Sequence, residues 1–262
     1  MCGIAAVFLQ PQERKKSEWA AIRELFTRNL ISNEERGNEA TGCAVVRQDG
    51  LVRLLKMPIA ASRFVATLEY RSLLASLDPT TTLLLGHTRL PTRGDPALSA
   101  NNHPLKAGPV FGVHNGQIDN SDELFARHRL PRRGSVDSEI IFRLLATVPP
   151  QKNGSEYLMA VRPLIRLLEG QFTFLACDTQ FPDRLLVLKH NNPLFAHYQC
   201  DWRALVFSSR YIFLRKAFGS HRFAEAFPPD QLLLFEAPHL REAGFHPAAS
   251  LTLYAEEKSN DR

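Results

Sequence analysis

The chain has 262 residues, of which 44% are hydrophobic and 23% charged, with a net charge of +5. That balance belongs to a soluble globular protein with a sizeable core, in one large domain or two small ones. It excludes a membrane span, since no run is long and apolar enough, and no signal peptide is legible, because charges follow the short Ile4–Leu9 run instead of preceding it.

Taken in order, Gly3 to Leu9 reads as a buried strand. Ser17 to Ile31 has helical spacing, with Trp19, Ile22, Leu25, Phe26 and Leu30 on one face. Glu34 to Gly42 is polar and glycine-containing, hence a loop. Cys43–Arg47 and Leu51–Met57 predict a hairpin around Asp49-Gly50, and Ser62 to Leu77 a helix capped by Ser62. Leu83 to His87 is a short strand. A long Pro-, Gly- and Asn-rich connection follows from Thr88 to Pro109, and structureless loops of that length are usually functional or disordered. Val110 to His114 is a further strand that ends in the turn signal Asn115-Gly116. Helices are predicted over Asp122–His128, Asp137–Thr147 and Tyr157–Leu168, the last with Pro163 as a kink or start. Strands dominate from Gln171 onward: Phe172–Asp178, Leu185–His190, Ala204–Phe207 and Gln231–Glu236, with a short helix over Tyr211–Ala217. Blocks of strands and helices without a linker point to layered sheets and helices in one domain over 1–255, followed by a polar tail over 256–262.

Cys2, Cys43, Cys177 and Cys200 form no C-x-x-C pair, so a zinc site is not expected, and no other metal or cofactor is expected either. Widely spaced thiols in a leaderless chain predict a reducing, cytoplasmic setting. The densest basic run is Arg127, His128, Arg129, Arg132 and Arg133. It reads as a solvated loop or a docking surface. A nucleic-acid role is not favoured, because no aromatic residues interleave with it.

The second residue carries the most chemistry. Cys is small enough for methionine aminopeptidase to expose it, which leaves a nucleophilic thiol and an α-amine of near-neutral pKa on one residue. The plain alternative is a small buried side chain. Four polar clusters lie at the ends of predicted strands or helices: Arg36-Gly37-Asn38-Glu39-Ala40-Thr41-Gly42, Gly86-His87-Thr88-Arg89-Leu90-Pro91-Thr92, His114-Asn115-Gly116 and Val136-Asp137-Ser138-Glu139. Arg89 has the planar fork that captures a carboxylate, and Asp137 can accept an ammonium, so together they can clamp the head of an amino acid. The Asn115 side chain and the Gly116 N–H can face a developing oxyanion. Each has a plainer reading: Arg89 as a surface ion pair, Asp137 as a helix N-cap, Asn115-Gly116 as a turn, and His87 and His103 as structural histidines.

The order of these clusters resembles the class II glutamine amidotransferases, the glutaminase domains among the N-terminal-nucleophile hydrolases. The motifs are Cys2-Gly3-Ile4, Arg36-Gly37 with Gly42, Gly86-His87-Thr88-Arg89, His114-Asn115-Gly116 and Asp137-Ser138-Glu139. Asn192-Pro193-Leu194, Ser208-Ser209 and Pro228-Pro229 extend the likeness over nearly the whole chain. The resemblance implies an α+β fold, a four-layer αββα sandwich of two stacked antiparallel sheets. It implies Cys2 as nucleophile, Asn115 and Gly116 as oxyanion hole, and Arg89 and Asp137 on the α-carboxylate and α-ammonium of glutamine. Thr92 and the loop beyond it would close over the site, and Arg36 and Gly37 would support the N-terminal loop. Glu39 and Thr41 stand where relatives often have Asp and Ser, and Arg93 where the sugar-phosphate branch has His. The implied reaction is glutamine hydrolysis, with ammonia passed to a separate acceptor synthase. The alternatives are an amidase on another γ-glutamyl substrate and an inactive glutamine-binding regulatory subunit.

Overall fold

The computed structural model of the protein describes residues 2–220 and 224–254, so the tail expected over 256–262 lies outside the described residues. Four strands come first: β1 (Gly3–Leu9), β2 (Ala40–Arg47), β3 (Val52–Met57) and β4 (Thr81–Arg89). Next come β5 (Leu105–Ala107), β6 (Val110–Ile118), β7 (Gly170–Asp178) and β8 (Phe181–Lys189). The last five are β9 (Phe195–Gln199), β10 (Ala204–Ser208), β11 (Glu225–Ala226), β12 (Gln231–Glu236) and β13 (Ala249–Thr252). The helices are α1 (Lys16–Asn33), α2 (Ala61–Phe64), α3 (Leu68–Ala75), α4 (Ser121–Arg127), α5 (Glu139–Leu145), α6 (Gly154–Ile165), α7 (Tyr211–Phe218) and α8 (Leu240–Ala243).

The strands form two antiparallel sheets, one ordered β11-β9-β10-β1-β4-β2-β3 and the other β13-β12-β8-β7-β6-β5. Side-chain alternation along β1 shows why they stack. Ile4, Ala6 and Phe8 point between the sheets, against Phe111 and Val113 of β6 and Leu175 of β7. Ala5, Val7 and Leu9 point the other way, against Trp19, Ile22, Phe26 and Leu30 of α1. Both faces of β1 are covered, so the strand reads as an unbroken apolar run. On the far side of the second sheet, Ile140, Phe142 and Leu144 of α5 and Leu158, Val161 and Ile165 of α6 pack on Phe172 and Phe174 of β7. The three apolar layers make the αββα sandwich, and each fully buried Phe or Leu in them contributes about 1.5–3 kcal/mol.

Several local readings change. Asn115-Gly116 is no turn: β6 runs on to Ile118, and Asn115 and Gly116 pair with Thr173 and Phe172 of β7. The local Asn-Gly signal is overridden by long-range pairing with a strand more than fifty residues away. The helix expected over 62–77 is two helices, because Thr67 stops the first and caps the second, its Oγ1 accepting from the Tyr70 N–H at 3.3 Å. Ser62 is no cap; its N–H and hydroxyl donate to the Glu34 carboxylate. The third helix of the central block begins earlier than its apolar spacing suggests, at Gly154, where the Asn153 side chain accepts from Ser155 and Glu156. Helix α5 starts at Glu139, two residues after Asp137, so Asp137 is not its N-cap. The long 88–109 connection holds a 3-10 turn at Ser99–Asn101 and the short strand β5.

Candidate active site

Antiparallel pairing gathers the separate motifs at one end of the sandwich. Gly3, at the start of β1, lies opposite Thr88 near the end of β4, and Ala40, at the start of β2, lies opposite Arg89. Cys2 precedes this edge and is half-buried, with its Sγ 3.5 Å from the Leu90 carbonyl oxygen. The Arg36 Nε–H donates to the Cys2 carbonyl at 2.5 Å and fixes the residue's backbone. Gly37 lies so close to the end of β4 that any Cβ there would overlap the Arg89 carbonyl carbon and the Leu90 nitrogen.

Two cavities meet at Cys2. The larger, about 380 Å³, opens to solvent between Cys2, Arg36, Thr92, Gly116, Gln171 and Asn192. The smaller, about 20 Å³, joins Cys2 to Arg89, Thr92, Gly116, His114 and Asp137. Every residue picked out from the sequence as catalytic or substrate-binding, Asn115 excepted, lines one or both. Asn115 is buried, its Nδ2 2.8 Å from Ser209 Oγ.

Arg89 is buried, and its guanidinium is engaged by its own loop. Nη1 donates to Asn102 Oδ1 at 2.7 Å, and Nη2 to the carbonyls of Arg93 and Gly94 at 2.6 and 2.8 Å. Those three bonds leave two of the five guanidinium N–H groups for a ligand. Arg93 in turn bonds Asp122 at 2.7 Å. The segment after Thr92 is therefore folded back onto Arg89. Asp137 is buried, lines the smaller cavity, and accepts the Ile118 N–H on one oxygen at 2.6 Å. Gly116 has φ +135°, a conformation in which a side chain is strained.

Burial raises the Cys2 thiol above its ordinary value, while the Leu90 backbone and the positive charges of Arg89 and Arg36 pull it back down. A thiol held protonated at rest needs a base at hand before it can attack. Three imidazoles lie under the site: His87 and His103, which the sequence offered as structural histidines, and His114 of the His114-Asn115-Gly116 cluster. The His87 and His103 rings are 4.2 Å apart and those of His103 and His114 6.4 Å. All three are buried and held neutral: burial pushes His87 down to about 3, His114 to about 4, and His103 well below its ordinary range. His87 Nε2 meets the His114 carbonyl at 2.9 Å, and His114 Nδ1 meets Ser138 Oγ at 2.7 Å.

Sequence reasoning also missed Asn102, Asn192 and Ser209. Asn192 donates to the Asn115 carbonyl at 3.2 Å and borders the larger cavity. The visible signal for Ser209 was a polar Ser208-Ser209 pair closing an apolar strand. In the basic run, Arg132 pairs with Asp122 and stacks on Phe125, and Arg127 lies 3.9 Å from Glu123, as a solvated face requires. Among the described residues no cluster of His, Cys, Asp and Glu is arranged to hold a metal ion, and no helix is long and apolar enough to cross a membrane.

Comparison with known proteins sets this geometry in a family. The chain is 32% identical over 200 residues to the glutamine–fructose-6-phosphate aminotransferase (isomerizing) of Corynebacterium efficiens, a match covering 74% of this chain and 30% of that protein. The chain belongs to the class II glutamine amidotransferases. The enzyme of the same name from Treponema pallidum is 31% identical over 184 residues, 68% of this chain and 27% of the relative. The chain thus spans about 30% of the length of these curated relatives. No family model matches it. Among solved structures, the glutamine phosphoribosylpyrophosphate amidotransferase from B. subtilis superposes with a TM-score of 0.70 over 97% of this chain and 50% of that one, at 16% identity. A class II glutamine aminotransferase domain protein from Silicibacter pomeroyi covers 97% of this chain and is itself covered completely, with a TM-score of 0.57 and 16% identity. The fold is therefore shared with these class II structures over 97% of the chain.

Proposed function

We propose that this protein hydrolyses the side-chain amide of glutamine and releases ammonia to an acceptor enzyme. The observation that carries the reading is the junction at Cys2, where one small cavity links the sulfur to a buried guanidinium and a buried carboxylate. Arg89 and Asp137 take the α-carboxylate and α-ammonium, Thr92 closes over them, and the side-chain amide reaches Cys2. With Met1 removed, the Cys2 α-amine accepts the thiol proton, directly or through one water. The sulfur adds to the amide carbon, and the oxyanion is met by Asn115 and the Gly116 N–H. The C–N bond then breaks as the α-ammonium returns the proton to the leaving ammonia. Water adds to the γ-glutamyl thioester, the C–S bond breaks, and glutamate leaves with the thiol restored. Arg36 and Gly37 hold the Cys2 backbone throughout. The domain runs over 1–255, the setting is cytoplasmic, and the acceptor is a separate synthase chain.

The test uses the chain with Met1 removed, verified by intact mass. Cys2→Ala abolishes glutamine hydrolysis and leaves the thermal midpoint near that of the parent, and an N-terminal tag left in place also silences the protein. Full activity in either refutes the mechanism. The larger cavity favours one second reading. It offers about 380 Å³ of space beside Cys2, far more than ammonia needs. A γ-glutamyl amide of a polar amine fits there, and competition between such amides and glutamine decides between the two.

A further inference from the structure

Ser209 directly follows β10 and is fully buried. Its N–H donates to the Ile4 carbonyl at 3.1 Å, and its Oγ accepts the Ile4 N–H at 2.7 Å. The same Oγ lies 2.8 Å from the Asn115 side-chain amide, on the other sheet. One hydroxyl therefore ties the strand of the nucleophile, two residues after Cys2, to the residue proposed to stabilise the oxyanion. The neighbouring Ser208 takes no part in this, since its Oγ accepts from Asn33 of α1 at 2.9 Å.

The hydrogen-bond inventory of the pair is unbalanced. A hydroxyl offers one donor and two acceptor positions. Ser209 already accepts from Ile4, and with Asn115 Nδ2 as its other partner both acceptor positions are filled while its proton is unused. Asn115 Oδ1 is then buried with no partner among the described residues, an arrangement that typically costs about 1–3 kcal/mol. A half-turn of the Asn115 amide puts the Ser209 proton to use and moves the unpartnered position from Oδ1 to Nδ2. Ser209 O–H donates to Oδ1, and Nδ2 becomes the unengaged end, a buried donor whose missing partner is an acceptor. The main chain of Asn115 stays fixed meanwhile, because its carbonyl accepts from Asn192 at 3.2 Å and its residue pairs with Thr173 in the sheet.

We propose that Ser209 is a positioning residue of the oxyanion hole: by donating its hydroxyl proton to Asn115 Oδ1 it turns Nδ2 toward the oxyanion formed at Cys2, and through Ile4 it keeps the two in register. The inference rests on the glutaminase reading. No covalent bond forms or breaks at Ser209; it exchanges hydrogen bonds only. Its effect falls on the transition state, where the oxyanion exists, and not on glutamine binding.

A double-mutant cycle on the full chain with Met1 removed tests it, with kcat and KM for glutamine as the readout. Ser209→Ala lowers kcat by roughly 100-fold and leaves KM unchanged, the signature of a misaimed donor. Ser209→Thr, which keeps the hydroxyl, recovers most of the lost kcat. In an Asn115→Ala background, Ser209→Ala has no further effect on kcat, because the donor it aims is gone. If Ser209→Ala does not fold, Ser209→Cys, with a weak donor of similar size, takes its place in the same cycle. A merely structural Ser209 lowers kcat by the same factor in both backgrounds; that result, or wild-type kcat in Ser209→Ala, overturns the proposal while the glutaminase reading stands. A parent enzyme that leaves glutamine unhydrolysed overturns both.

Discussion

Gly116 serves two purposes, and a single methyl group separates them. Its N–H is the backbone donor proposed for the oxyanion, and its φ of +135° aims that donor. A Cβ there would overlap the Gln171 carbonyl oxygen across the β6–β7 ladder, so Gly116→Ala must shift backbone and not merely a side-chain tip. The combined cost of strained φ and forced displacement is about 3 kcal/mol of stability. Where the chain still folds, kcat falls by about 100-fold as the N–H swings off its target. Urea unfolding together with glutamine turnover checks both halves, and a stable, fully active Gly116→Ala refutes the assignment. Arg36 shows the complementary case, a long side chain whose bond to the Cys2 carbonyl holds the first strand's entry in place.

At the scale of elements, the Arg133–Asp137 approach to α5 is held by one buried carboxylate. Glu139 accepts from Arg143 Nε and Nη2 at 2.9 and 2.7 Å and from the backbone N–H groups of Arg133 and Gly134 at 3.0 and 2.8 Å. Both side chains are buried, so Glu139→Gln strands the Arg143 charge and costs about 3–5 kcal/mol, whereas Glu139→Met with Arg143→Met strands none and recovers most of it. Denaturant midpoints of the three proteins check this, and equal losses in the single and double variants refute it. Pairs of this kind also mark the boundary of what sequence conveys. Strand β1, the apolar face of α1 and the bounds of β12 were legible because periodicity and burial are properties of a contiguous segment. Strands β5, β9, β11 and β13 were not, since each is two to five residues long and owes its existence to a partner distant in sequence. In the same way, the polar clusters were legible as separate segments, which the fold brings to one edge. The bonds from Arg89 to Asn102 and from Ser209 to Asn115 arise only when loops and sheets meet.

The molecule as a whole stores its acid sensitivity under the active site. His87, His103 and His114 are packed ring against ring where β4 and β6 face the 88–109 connection. The charged groups facing them are mostly positive: Arg89 and Arg36 bear on His87, and Arg89 and Lys56 on His103, while Asp137 and the Gln171 backbone favour a charge on His114. Burial is the largest influence on each, and it depresses all three below the ordinary 6.5. The unfolded chain therefore takes up protons near pH 6.5 that the folded chain refuses until about 4 for His114 and about 3 for His87. Stability from these groups is complete above pH 6.5 and is lost as pH falls below it, by about 1.4 kcal/mol per pH unit for each ring. Three rings acting together remove about 4 kcal/mol per unit, a large part of the roughly 5–15 kcal/mol that holds a domain folded. Asp178, whose carboxyl burial raises, acts in the opposite direction, one group against three. Urea unfolding at pH 7.5, 6.0 and 5.0 should show a steep fall confined to the acid side, and His103→Gln should reduce its slope by about a third. A stability that stays level from pH 7.5 to 5.0 would mean that the three rings take up protons in the folded chain as readily as in the unfolded one, so that burial does not hold them neutral.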